Sequence, residues 1–347
     1  MIHMNAKTIG FGTTAVVVAV YFAVVIAPGR TNPEMEQPSA NRRQRTPLEE
    51  EGRKLYIQDG CQYCHTQYVR KYDWGPTAER IAQAGDYVGD YAPQLGSNRN
   101  GPDLSQQGGQ HTDDWHRAHF YNPRFTRPES FMPPFTYLRE PEIRALVAYV
   151  QSLGGRRADQ RNQRQWHWRP QAIAAYEKGV DENIRWIHSH VPKGWLRVPN
   201  PYPITDASFK SGELIYQRHC LSCHGPVGDG QGPAVAFVYP PPFNFTTLRR
   251  HGLAGGATGG MLYYQIMNGI TGTAMPAFKH ELESEKIWDV SNYVAKQFIG
   301  IVDANTEPRG IDSAYEPPES MTYPKTSERI PDIQDVTPTT ANGREAD

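Results

Sequence analysis

The chain has 347 residues, room for two or three domains, and 36 basic side chains against 37 acidic ones, a net charge of −1. That balance offers no polycationic surface for nucleic acid, and 31 Gly with 29 Pro mark a loop-rich protein. Four cysteines, at 61, 64, 220 and 223, are too few for a disulfide-dense scaffold.

Residues Ile9 to Pro28, IGFGTTAVVVAVYFAVVIAP, carry no charge. At about 1.5 Å per residue such a run spans about 30 Å, the hydrocarbon thickness of a bilayer. It exceeds the roughly 7–15 apolar residues of a signal peptide, and no small-x-small site follows, so it reads as a retained anchor over 1–30. Lys7 precedes the run and Arg30, Arg42, Arg43 and Arg45 follow it, so the basic flanks do not orient it. Residues 31–45, rich in Pro, Asn, Gln and Arg, read as a linker.

Thr46-Pro47-Leu48-Glu49 predicts a capped helix start, with Gly60 as its stop. A second helix is predicted from Pro141 to Leu153, where Ile143, Leu146, Val147, Val150 and Leu153 share one face and Gly154-Gly155 ends it. These bracket a first domain at 46–155. Residues 155–169 carry five Arg and one Asp without apolar periodicity and read as a solvated run, and 170–190 suits a linking helix, so 156–207 joins two domains. The second domain, 208–300, opens on a short helix from Gly212 to His219. It closes on one bearing Ile287, Val290, Val294 and Phe298. From 301 to 347, six Pro and ten acids against four bases form an acidic tail of net charge −6. The fold class expected is mainly α: a transmembrane helix, then two loop-rich domains. The two repeat a plan of helix, Cys-x-x-Cys-His, irregular loops and closing helix, matched in pattern and not residue by residue.

Cys61-Gln62-Tyr63-Cys64-His65 and Cys220-Leu221-Ser222-Cys223-His224 carry the chemistry. In CxxCH two thiols add across the vinyl groups of one haem while the following imidazole reaches iron. Thioredoxin-like redox pairs need no following His and sit in a βαβ context missing here. One zinc shared by both pairs needs far closer spacing, and disulfides leave the histidines unexplained. Two covalently attached haem c groups are therefore expected. Each iron then needs a sixth ligand, and thioether ligation suits a relay near the oxygen end of respiration. Met132 is the single methionine of the first domain, in a Pro-held loop, with His111, His116 and His119 as rivals. In the second domain Met275 repeats the Met-Pro pattern, whereas Met261 and Met267 sit at near-helical spacing, as core methionines do. Trp115, Tyr137, Tyr239, Phe243 and Trp288 read as packing around haem edges or helices. Arg70, Arg99, Arg117 and Arg249 are the candidates to pair with haem propionates.

The stretch from Thr46 to Leu138 resembles the membrane-anchored mono-haem subunit of C-family (cbb-type) haem-copper cytochrome c oxidases. The carriers are EEEGRKLYIQDGCQYCHTQYVR, GSNRNGPDLSQQGG, DDWHRAHFYNPR and PESFMPPF, with one anchor helix before them. The resemblance implies His65 and Met132 as axial ligands. The second domain is similar to a small class I cytochrome c through CLSCHGPVGDGQGP and GTAMPAF, which implies His224 and Met275. The mono-haem subunit ordinarily lacks a second haem domain, so the chain looks like a fusion.

These readings imply an electron-transfer subunit of a respiratory terminal oxidase, with no catalysis of its own. It would carry electrons from a soluble cytochrome c or quinol-oxidising complex, through the C-terminal and then the N-terminal haem, to a haem-copper catalytic membrane subunit. The c-type subunit of a nitric oxide reductase or of a quinol-oxidising supercomplex is the alternative. A dihaem peroxidase needs a displaceable sixth ligand, which two Met-Pro loops argue against. Because haem c is attached to exported thiols, the expected placement is the bacterial inner membrane in a single pass. The N-terminus is then cytoplasmic and both haem domains lie on the periplasmic side.

Overall fold

The computed structural model describes residues 5–31, 37–73, 80–195, 198, 201–202, 205–250 and 259–300. The acidic tail lies outside the described residues. Those described are helical with irregular loops, and no strand occurs among them. Helix α1 (Ala6–Tyr21) opens on an Asn5 cap, and its spiral continues through Phe22–Ile26 into α2 (Ala27–Thr31). Ala6–Ile26 has a mean hydropathy of 2.3 and buries nothing against the rest of the chain, so its apolar surface is available to lipid.

The first domain begins at α3 (Pro47–Gln58), whose Thr46 hydroxyl accepts from the Glu49 N–H at 3.3 Å while Glu49 accepts from the Thr46 N–H at 2.8 Å. Helix α4 (Asp113–Tyr121) and α5 (Glu140–Ser152) complete it. Helices α3 and α5 cross at Gly52, where a Cβ would overlap the Ala145 carbonyl. One turn on, Tyr56 and Tyr149 pack their rings 5.2 Å apart, both fully buried. Phe120, Ile143, Leu146 and Val150 fill the core around them.

Two helices then join the domains, α6 (Gly155–Glu177) and α7 (Val180–Ser189). The basic run is thus ordered helix, and Arg161 is only 8% exposed. Its guanidinium donates to the Gly108 carbonyl at 2.7 Å and the Gln106 carbonyl at 3.0 Å, which is why it is not solvated. The segment read as a linker after the anchor is also bound to the first domain. Arg42 and Arg45 both reach Asp90 at 2.6 Å, Arg43 pairs with Glu49 and Asp159, and Asn41 donates to the Gly154 carbonyl.

The second domain contains α8 (Asp206–His219), α9 (Leu221–His224), α10 (Phe245–Arg250), α11 (Gly259–Asn268) and α12 (Ser284–Val294). Helices α8 and α12 repeat the earlier crossing. A Cβ on Gly212 would overlap the Asp289 carbonyl, and Tyr216 and Tyr293 pack 5.4 Å apart. The opening helices therefore share Gly-x-x-x-Tyr at equivalent places, a residue-level match that the sequence pattern alone leaves unnoticed.

The domains meet along a seam. Ala118 and Phe125 of the first pack with Ala234 and Phe237 of the second, and Trp115 packs with Val238 and Ala274. Asp114, 2% exposed, accepts from Arg169 of α6 at 2.9 Å and from the Tyr239 N–H of the second domain at 3.0 Å. Its other oxygen accepts from the Thr112 hydroxyl and the Trp115 N–H, so the buried carboxylate has a partner at each oxygen.

Candidate haem sites

In the first domain Gly60, at φ 73°, stops α3 and turns the chain into a tight turn over Cys61–Tyr63. The Cys61 carbonyl accepts from the Cys64 N–H at 3.2 Å and the His65 N–H at 3.0 Å, setting both thiols and the imidazole within one turn. The His65 ring donates from Nδ1 to the Pro102 carbonyl at 2.8 Å, which leaves Nε2 as the nitrogen for a metal. Gly101 lies against the ring so closely that a Cβ would overlap it, so GSNRNGP is the cradle of this histidine. Met132 packs against the same core cluster as Cys61. Its loop is held by Arg124, which donates to the Met132 carbonyl at 3.0 Å, and by Ser130, which accepts from its N–H at 3.2 Å. Sequence reasoning did not single out Arg124, although it stands in the DDWHRAHFYNPR block; nothing local says that its guanidinium returns to residue 132.

The second site follows the same plan. The Cys220 carbonyl accepts from the Cys223 N–H at 3.1 Å and the His224 N–H at 2.9 Å. His224 donates from Nδ1 to the Phe243 carbonyl at 3.2 Å and stacks on Phe245 at 4.5 Å between ring centres. Cys220 and Met275 pack against one core cluster. Cys223 faces the seam, against Ala118, Phe125, Ala234 and Phe237. Met261 is buried to 1% exposure in the core, and Met267 packs on its edge.

Burial sets the protonation of both sites. It lowers His65 below the ordinary imidazole range, against the opposing Pro102 carbonyl, and lowers His224 to about 4, so both rings are neutral near pH 7. It raises the thiols of Cys61, Cys220 and Cys223 to about 12. No disulfide joins the four cysteines. Among the described residues no group of three or more His, Cys, Asp or Glu is arranged to hold a metal ion. Two thiols and an imidazole set within one turn, with a thioether on the core that packs the first thiol, fit an iron whose other donors come from a porphyrin.

The rival histidines gather around Trp115, which packs on the seam, and His119 is also near enough to His65 for the two rings to disfavour each other's protonation. His111 stacks on Trp115 at 3.7 Å and Trp115 on His119 at 4.9 Å, with His116 edge-on to the first two. His119 is hydrogen-bonded to the Thr126 hydroxyl at 2.6 Å. Arg99 reaches Asp73 at 2.8 Å and Thr66 at 2.8 Å, Arg70 reaches Asp73 at 2.6 Å, and Arg117 reaches Glu140 at 3.0 Å. The Arg249 side chain lies outside the described residues.

Residues 3–141 match the family described as cytochrome c oxidase, mono-haem subunit/FixO, and residues 207–294 match cytochrome c oxidase, cbb3-type, subunit III. The chain joins a FixO-type region to a cbb3 subunit III-type cytochrome domain. It is thus a cytochrome c electron-transfer subunit of an oxidase, with covalently bound c-type haem and an apolar N-terminal helix suited to anchor it. The FixO-type match ends just inside α5, the subunit III-type match begins at α8, and α6 and α7 lie between the two. A chain of the reducing HAO-like protein complex of Kuenenia stuttgartiensis is 20% identical and covers 72% of this chain and 96% of its own. Its TM-score of 0.23 lends the comparison no weight. No curated protein matches the chain.

Proposed function

We propose that the chain is a dihaem electron-transfer subunit of a membrane respiratory terminal oxidase that reduces oxygen. Cys61 and Cys64 would hold one haem c, with His65 and Met132 as the side chains for its iron; Cys220 and Cys223 would hold the other, with His224 and Met275 for its iron. Bound haem supplies one-electron transfer at its iron. The chain keeps each imidazole neutral and aimed by its Nδ1–H bond, and keeps each thioether on the same core cluster as the first thiol of its motif. The subunit III-type domain receives electrons from a soluble cytochrome c or quinol-oxidising complex. The FixO-type domain, nearer the anchor in the chain, passes them to a haem-copper membrane subunit. Both domains stand on the periplasmic side of the bacterial inner membrane, with the N-terminus inside.

The observation that carries this reading is the repeated site: in each domain a CxxCH turn fixes its histidine through Nδ1 to a backbone carbonyl, and a Met-Pro loop lies on the same core. The test is purification of the membrane complex with a haem count on this chain and turnover of its partner. Two haem c per chain, a co-purified polytopic subunit and oxygen uptake driven by reduced cytochrome c are expected. One haem per chain removes the dihaem assignment, and consumption of nitric oxide in place of oxygen removes the terminal-oxidase assignment.

A further inference from the structure

The loop that presents Met275 is held from outside its own domain. The Gly272 N–H donates to Oε1 of Gln165, on α6, at 2.7 Å. Gly272 has φ +89°, and a Cβ there would stand 2.6 Å from the Trp168 carbonyl carbon and 2.8 Å from the Arg169 nitrogen. The loop and α6 thus meet backbone to backbone, at a conformation that favours glycine. Two residues on, Ala274 is buried against Trp115 of the first domain and Val238. Inside the loop, Thr273 N–H and hydroxyl both donate to the Ile270 carbonyl, at 3.0 and 2.8 Å. The Thr273 hydroxyl oxygen accepts from the Met275 N–H at 3.2 Å, and the Met275 carbonyl accepts from the Ile270 N–H at 3.2 Å. A closed set of bonds therefore links the position of Gly272 to that of Met275.

Met132 itself is held by Arg124 and Ser130 of its own domain, while the second domain touches that loop farther back, through Arg218 on Glu129 and Ser222 on the Arg124 carbonyl. Neither family match covers α6, so this brace belongs to the join between the two cytochromes. We propose that Gln165 is a positioning residue for Met275: the linking helix holds the loop where its thioether meets the iron of the second domain. The thioether ligation of the C-terminal haem then depends on the docked state of both domains. This inference rests on Met275 being the sixth ligand, as proposed above.

The test uses the full-length, haem-loaded chain. The readouts are the near-infrared absorption of thioether-ligated ferric haem, carbon monoxide binding to the ferrous form, and the two midpoint potentials. Met275→Ala, which the ligation reading requires to remove one haem's band, serves as reference. Gln165→Ala, and Gln165→Met to preserve bulk without the acceptor, are expected to raise the thioether-free form about fivefold, the effect of one lost hydrogen bond. Carbon monoxide binding rises and the potential falls at that haem alone, with the N-terminal haem unchanged. Gln165→Glu, whose carboxylate still accepts from Gly272, restores the band. If Met275→Ala leaves both bands intact, the ligation reading fails. If it removes one band but neither Gln165→Ala nor Gln165→Met weakens that band, the brace is overturned. The brace is equally overturned if Gln165→Glu behaves like Gln165→Met.

Discussion

Arg127 of the first cytochrome domain donates a hydrogen bond of 2.5 Å to Nδ1 of His219 in the second, and the same guanidinium is ion-paired with Glu281. The contact requires a neutral imidazole, because a protonated Nδ1 has no lone pair to accept with. Burial first, and then Arg127, lowers His219 below the ordinary imidazole value; Arg218 adds to this, and Glu281 and Glu129 oppose it.

A histidine held neutral in the folded state binds protons more readily once unfolded. Stability from this contact is thus present above about pH 6.5 and is lost as pH falls through the lowered folded value. Thermal unfolding measured across pH should fall more steeply on the acid side for the wild type than for His219→Asn, which keeps an acceptor without a titration. Equal slopes would remove His219 from the account.

Asp114 joins the first domain to α6 and to the Tyr239 backbone. Asp114→Ala leaves Arg169, only 22% exposed, without its partner. A broken pair of this kind costs about 3–5 kcal/mol. Denaturant unfolding should show that loss, together with new protease cleavage along the seam. Adding Arg169→Met should recover most of it, because the double variant leaves no charge unpaired.

At Gly52 and Gly212 the added methyl of alanine meets a backbone carbonyl on the closing helix. Each substitution should cost about 1–3 kcal/mol by forcing the crossing apart. Gly10→Ala, with nothing within 4 Å, should leave the unfolding of the soluble part unchanged. Unfolding midpoints of the three variants check the contrast.

Deleting residues 1–31 should release a water-soluble chain with both cytochrome domains folded, because Ala6–Ile26 buries nothing against them. Extending the deletion through Arg45 removes Arg42 and Arg45 from Asp90, whose side chain is 7% exposed. That longer truncation should lose about 3–5 kcal/mol relative to the shorter one. Solubility after membrane washing and denaturant unfolding distinguish the two.

Local signals were legible in the sequence. The apolar run, the Thr46 capping box and the helix ending at Gly154-Gly155 each depend on residues a few positions apart, and the structure has them. The two CxxCH turns are equally local. What stayed hidden depends on partners far along the chain. Arg161 reads as solvated until the carbonyls of Gln106 and Gly108 lie over it. Gln165 reads as one more polar residue until Gly272 arrives from 107 positions away. The shared Gly-x-x-x-Tyr was within reach, but it acquires meaning only when both closing helices cross at the glycine.

A cytochrome domain on a slack tether exchanges electrons with its neighbour by collision, at a frequency set by tether length and solvent viscosity. The seam centred on Asp114, Phe125 and Phe237 makes that search unnecessary. With the two domains pressed together, the spacing between the two CxxCH turns, and between the haems proposed on them, becomes a constant of the fold. Lengthening the loop between α7 and α8 should then leave the transfer rate untouched, and added glycerol should not slow it.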